Sequence, residues 1–169
     1  MPASPVTAYL SLGSNMGERR EQLRRACAAL ENSGVRLRQI SSLYETAPVD
    51  FVEQAWFLNC VLEIETTLEP LALLREMQRI EHGLDRRREQ PKGPRTIDID
   101  LLLYGDSVLN LPALVIPHPQ MVRRRFVLEP LREIAPTLLV PNTARTVEQL
   151  WKQLEDSSAV QRLEERWYP

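Results

Sequence analysis

The sequence predicts an α+β fold, an antiparallel sheet with helices laid against it, and three observations predict it. Apolar residues recur at helical spacing over 18–31 and 70–84. They alternate with polar ones over 8–12, 35–45, 56–66 and 97–103. In chain order these stretches read β-α-β-β-α-β. The 169 residues suffice for one domain with a full core, expected to span 1–169 with its packed part over about 8–154.

Composition narrows the function classes. An apolar fraction of 43% and a charged fraction of 26% are ordinary for a globular chain. Twenty-three acids against 21 bases leave a net charge of -2, so no global field draws nucleic acid or an anionic membrane. No apolar run approaches the length of a membrane span, and residues 1–7 lack the basic-then-apolar form of a signal peptide. Cys27 and Cys60 have no metal-ligand spacing and sit in apolar patterns. They are expected as reduced core thiols in a cytoplasmic protein.

The first strand, 8–12, runs into Gly13-Ser14-Asn15-Met16-Gly17. A glycine-rich strand-to-helix loop can cradle phosphate, but no Lys-Ser or Lys-Thr follows, which excludes a P-loop. The stretch reads as a tight turn with Ser14 or Asn15 near a helix start. In the helix that follows, Leu23, Ala26, Cys27 and Leu30 form the buried stripe. The next strand puts Val35, Leu37, Ser41 and Leu43 on one face, until Thr46-Ala47-Pro48 breaks it. Over 56–66, Phe57, Asn59 and Val61 share one face, and Cys60, Leu62 and Ile64 the other. Asn59 is either an amide that recognises a heterocycle's amide edge or one bonded to a neighbouring loop; spacing leaves the two readings even. Pro70 opens the second helix, whose stripe is Leu73, Met77, Ile80 and Leu84. Gln78 and Glu81 lie beside that stripe and, by themselves, read as solvated.

Residues 85–92 are polar, with three consecutive arginines, Arg86, Arg87 and Arg88, and no apolar anchor. Such a segment is expected to move without ligand and to close over bound phosphates as a lid. It leads through Gly93-Pro94-Arg95 into Thr96-Ile97-Asp98-Ile99-Asp100-Leu101-Leu102-Leu103. Alternation places Ile97, Ile99, Leu101 and Leu103 on one face and Thr96, Asp98 and Asp100 on the other, the two carboxylates about 6–7 Å apart at the backbone. An amphipathic strand with a wet face would also look like this. Asp is ill suited to strands, however, and a hard divalent cation removes the repulsion between two adjacent carboxylates. Arg95 adds a fixed cation where a phosphate would meet that metal. Beyond this strand, Tyr104-Gly105-Asp106-Ser107 is expected to turn the chain back into a hairpin with Val108-Leu109. Val147, Leu150, Trp151 and Leu154 suggest a last short helix, and the charged tail past Glu155 carries no assigned chemistry. The order is that of a ferredoxin-like sandwich, a βαββαβ core with helices on one sheet face, an additional hairpin and C-terminal helices.

The run from Gly93 to Leu102 closely resembles the signature of the hydroxymethyl-dihydropterin pyrophosphokinases, enzymes of the folate pathway, and the resemblance extends from about Tyr9 to Trp151. It implies pyrophosphoryl transfer from ATP to 6-hydroxymethyl-7,8-dihydropterin by a monomer without nucleic-acid or membrane partners. It further implies that Asp98 and Asp100 hold two magnesium ions, and that Arg86 and Arg95 act on the phosphoryl group. The family pattern places Gln78, Glu81, Arg88, His118 and Arg124 at ATP, and Thr46, Pro48, Val49, Phe57, Asn59 and Phe126 around the pterin, with Phe57 and Phe126 on opposite faces of the ring. Two features depart from it: Asp85 replaces a usual glycine, and Pro91-Lys92 stands where many members carry a basic residue and an aromatic. A rival of another class presents Arg86–Arg88 and Arg123–Arg125 to RNA, but net acidity and the lack of an RNA-recognition aromatic motif argue against it. A different metal-dependent nucleotide transferase would explain the carboxylates but not Phe57, Asn59 and Phe126 together.

Overall fold

The structure, a computed structural model, describes residues 4–48, 53–84, 96–163 and 166–169. Period-two stretches become strands and 3.6-period stretches helices. The elements are β1 (Val6–Ser14), α1 (Arg19–Asn32), β2 (Arg36–Ile40), β3 (Tyr44–Thr46), β4 (Phe57–Thr66), α2 (Pro70–Gly83) and β5 (Asp98–Tyr104). There follow β6 (Leu109–Asn110), β7 (Val115–Ile116), a 3-10 turn at Met121–Arg123, α3 (Arg125–Ile134), β8 (Leu139–Val140), β9 (Arg145–Thr146), α4 (Val147–Lys152) and β10 (Val160–Arg162).

All pairings in the main sheet are antiparallel. β5 pairs with β1 and β1 with β4; β2 and β3 both pair with β4, and β10 lies beyond β3. The single strand expected over 35–45 is therefore two. The break has a cause in Ser41 and Ser42. Ser41 N donates to Val61 O, but Val61 N returns to the Ser41 hydroxyl, at 2.9 Å in each case. Ser42 N leaves the ladder and donates to the Glu133 carboxylate.

The stripe of α1 and, in α2, Leu73, Met77 and Ile80 are buried against one face of the sheet, with Leu10, Leu12, Cys60, Leu62 and Ile64; Leu84, just past the end of α2, is half-buried beside them. Burial pushes the Cys27 thiol up to about 12 and raises that of Cys60 as well. The expectation of helices on one face is corrected. Tyr9, Val61, Leu102 and Leu103 make the other face apolar too, and Val127, Leu128 and Leu131 of α3 cover it together with Val147 of α4. Leu103 also differs from expectation. Tyr9 pairs with Leu103 but Leu10 with Leu101, so Leu102 is an extra residue that flips Leu103 to the α3 side.

The expected hairpin on β5 is replaced by a separate one: β6 pairs with β7. The outer edge of β5 is occupied instead by the Glu81 carboxylate, which accepts from Ile99 N, and by His118 N, which donates to Leu102 O. The tail past Glu155 is structural. β10 extends the sheet, and Trp167, 1% exposed, sits in the α1–α2 core with its indole N–H on Ser41 O. Among the described residues no helix is long and apolar enough to cross a membrane.

Candidate active site

Register assembles the site. Gly13 of β1 stands opposite Asp98 on one side and Asn59 on the other, and Asn59 stands opposite Tyr44 of β3. Directly opposed residues share a face. One row across four strands thus reads Asp98, Gly13, Asn59, Tyr44. Ser11 and Asp100 form the row behind it, and Phe57 with Thr46 the row in front. Asp98 and Asn59 lie two strand spacings apart, about 10 Å at the backbone.

Gly13 is what keeps that row open. A Cβ there would lie 2.5 Å from Asn59 Oδ1 and 3.6 Å from the Phe57 ring. Any side chain at this position would stand between the carboxylates and the amide. The Gly-Ser-Asn stretch, expected as a turn, is partly strand: Gly13 and Ser14 belong to β1. Asn15 does not cap α1. Its Nδ2 donates to Gln54 Oε1 at 2.7 Å and Ala55 O at 3.0 Å, while Arg19 donates to Trp56 O at 2.9 Å. These bonds fix the approach of the chain to Phe57. Sequence reasoning missed Gly13, Asn15 and Arg19; the available signal was the glycine at the very end of an apolar strand, where a close approach is a regular reason for it.

On the β3–β4 side, Asn59 and Thr46 are 3% and 2% exposed, and Asn59 Nδ2 donates to the Thr46 hydroxyl. The two readings of Asn59 are both partly met: its NH2 is bonded to a neighbouring strand, and its oxygen lies over Gly13, on the open row. Phe57 and Pro48 are half-buried beside them. Phe126 comes from the first turn of α3, packs on the second core, and carries the Arg124 guanidinium 5.5 Å from its ring centre.

On the β5 side, Asp98 and Asp100 are half-buried. Glu81 reaches from α2 to Ile99 N at 2.8 Å, between the two carboxylates, so it holds the strand that presents them. Gln78 lies exposed on α2, three residues earlier. His118 is anchored to β5 through its backbone, and its Nδ1 accepts from Gln120 N at 3.1 Å, which puts the proton of a neutral imidazole on Nε2. Burial lowers the His118 pKa, Arg124 lowers it further, and Asp98 pulls the other way. Those charges act because the three groups have been brought together from β5, the loop before the 3-10 turn, and the start of α3. Arg86, Arg88, Arg95 and Val49, with the departures at Asp85, Pro91 and Lys92, lie outside the described residues.

A carboxylate pair, a histidine and an arginine thus stand on one half of a sheet face, and a buried amide with an aromatic on the other. Comparison with known proteins gives the family. The 7,8-dihydro-6-hydroxymethylpterin-pyrophosphokinase family model matches residues 9–136. The chain belongs to this family. It is 44% identical over 151 residues to the Bacillus subtilis 2-amino-4-hydroxy-6-hydroxymethyldihydropteridine pyrophosphokinase, covering 86% of this chain and 90% of the relative. It is 42% identical over 156 residues to the Haemophilus influenzae protein of the same name, covering 92% and 97%. It spans only 20% of the Schizosaccharomyces pombe folic acid synthesis protein fol1, at 42% identity. Among solved structures, wild-type Plasmodium falciparum HPPK-DHPS with pteroate superposes with a TM-score of 0.71 at 17% identity, over 89% of this chain and 42% of that one. At that identity the likeness speaks for the pyrophosphokinase fold alone.

Proposed function

We propose that this chain transfers a pyrophosphoryl group from ATP to the hydroxymethyl group of 6-hydroxymethyl-7,8-dihydropterin, giving AMP and the pterin diphosphate in folate biosynthesis. Family membership supports the reaction. The observation that carries it to these residues is the row Asp98, Gly13, Asn59: a carboxylate and a buried amide on one face with only a glycine between them, and Asp100 in the row behind.

The pterin lies on the β3–β4 half. Asn59, held by Thr46, meets the ring's amide edge, with Phe57 and Phe126 against its faces and Pro48 and Val49 at the rim. The triphosphate lies on the β5 half. The substrate hydroxyl oxygen attacks the β-phosphorus in line and gives up its proton to solvent, and the bond from that phosphorus to the α,β-bridging oxygen breaks as AMP leaves. His118 donates from Nε2 to a phosphate oxygen. Arg124 supplies a charge beside it, and Gln78 and Glu81 border the nucleotide. Arg86 and Arg95 offset charge on the phosphoryl oxygens, and Arg88 binds ATP.

The donor set suits magnesium. Among the described residues no three His, Cys, Asp or Glu side chains gather as a metal cage. Magnesium characteristically takes one or two carboxylates and completes its shell with substrate phosphates and water. Asp98 and Asp100 would hold two such ions, which supply charge neutralisation to the phosphate chain when bound. Glu81 keeps the two carboxylates in place by fixing the strand between them. We read the protein as a cytoplasmic monomer, consistent with two cysteines kept as buried thiols.

The test is AMP formation from ATP and magnesium with and without the hydroxymethyl-dihydropterin. Pterin-dependent AMP, with the pterin diphosphate in equal amount by mass spectrometry, is the expected result. Absence of both overturns the reading.

A further inference from the structure

The family match ends at residue 136, yet the chain returns to the site after it. The span 156–163 touches the two elements that frame the pterin half. At one end, Asp156 Oδ2 accepts from Arg125 N at 3.0 Å, at the start of α3 between Arg124 and Phe126. No side chain of its own caps that helix: Arg124 occupies the N-cap position without a capping bond. Asp156 supplies the cap from 31 residues away, and a carboxylate there also meets the positive end of the helix dipole. Its second oxygen accepts from Ser158 N at 2.9 Å and from the Ser158 hydroxyl. The Arg125 guanidinium in turn donates to Ser158 O at 3.4 Å.

The other end of the span pairs with β3. Val160 stands opposite Thr46, Ala47 N donates to Ala159 O at 3.1 Å, and Leu163 N donates to Leu43 O at 2.7 Å. Thr46 is the partner of Asn59, and Ala47 leads into Pro48. Arg162 of the same strand donates to the Ser42 hydroxyl and to Glu133 of α3, at 3.0 and 3.3 Å. Eight residues therefore bond both to the strand end that carries Thr46 and to the helix that carries Phe126.

We propose that this C-terminal span is a brace that sets the separation of Thr46 from Phe126, and that Asp156 is its positioning residue for the pterin. The inference rests on the function given above. Asp156 touches no substrate; it acts through the Arg125 amide. Burial pushes its carboxyl up, but the bonds from Ser158 and Arg125 outweigh this and hold it below its ordinary value, so it is a charged acceptor at neutral pH.

The test uses the full chain and steady-state kinetics with both substrates, alongside thermal melts. Asp156→Ala should raise KM for the pterin about fivefold, near the value of one lost helix cap, with kcat within about twofold and KM for ATP less affected. Asp156→Asn keeps an oxygen acceptor and should recover most of the lost KM. A lower melting temperature with both KM values unchanged overturns the proposal, as does Asp156→Asn behaving like Asp156→Ala. If Asp156→Ala does not fold, Ser158→Ala removes only the hydroxyl bond to Asp156. A KM for the pterin raised about twofold by it supports the brace, and an unchanged one overturns it. Wild-type protein without pterin-dependent AMP formation sinks the functional reading and the brace with it; active wild type with an insensitive Asp156 sinks the brace alone.

Discussion

The two halves of the site are built on opposite principles. The β3–β4 half, where we place the pterin, is ordered by the protein itself: Asn59 and Thr46 are almost wholly buried, bonded to each other, and held by β4, β3 and the span 156–163. The β5 half places the acids Asp98 and Asp100, and Arg124 beside a His118 whose pKa is lowered, on half-buried side chains. Ordering of the first half comes from packing and hydrogen bonds formed on folding. Under the proposed function, the second half is ordered further when phosphates and their cations bind. On that same reading, a rigid pocket for a neutral ring beside an adaptable one for a polyanion is a sensible division, because a phosphate chain and its cations bring their own large electrostatic terms.

The contrast can be broken most sharply at Asp98. Asp98→Ala should lower turnover at least about a hundredfold, as loss of an electrostatic partner for the phosphate chain, while pterin binding by calorimetry and the melting temperature stay close to wild type. Near-normal turnover would remove the carboxylate pair from the chemistry. Gly13→Ala tests the other half. The added Cβ is driven into Asn59 Oδ1, and overpacking of about 1–3 kcal/mol is expected to weaken the pterin about tenfold and lower the melting temperature by a few degrees. If pterin affinity holds, the close approach of β1 to Asn59 is not part of the pocket.

The smallest effect is a pH dependence of the β5 half. The His118 pKa is lowered in the folded protein, so above about 6.5 the imidazole is neutral in both states and contributes no pH dependence. As pH falls below that value the unfolded chain takes the proton first, and stability is lost until the folded pKa is passed. In denaturant titrations without metal or nucleotide, His118→Gln should lose less stability than wild type between pH 7 and pH 5. Equal losses would mean that neither burial nor Arg124 lowers the His118 pKa.

Much of this was legible beforehand because it is local. The stripe Leu23, Ala26, Cys27 and Leu30 and the division of Phe57, Asn59 and Val61 from Cys60, Leu62 and Ile64 follow from periodicity, and both stand in the structure. The motif around Asp98 and Asp100 pointed to the family that comparison with known proteins shows. Gly13 escaped because a glycine after a strand reads equally as a turn, and only its neighbours two strands wide show that it must lack a side chain. Leu103 was misplaced because a bulge at Leu102 leaves no mark in an unbroken run of leucines.

What the sequence determined by itself is the set of elements, their apolar stripes and the acidic strand. All arise from preferences within a few residues. Tertiary structure alone decided that β3 separates from β2 at Ser41 and Ser42, that α3 closes the second sheet face, and that the tail beyond Glu155 returns as β10 to hold Thr46 and cap α3. Each of these joins residues far apart in the chain, Ser42 with Glu133 or Arg125 with Asp156. The bonds that fix them exist only once a backbone amide meets a carboxylate from a distant part of the chain.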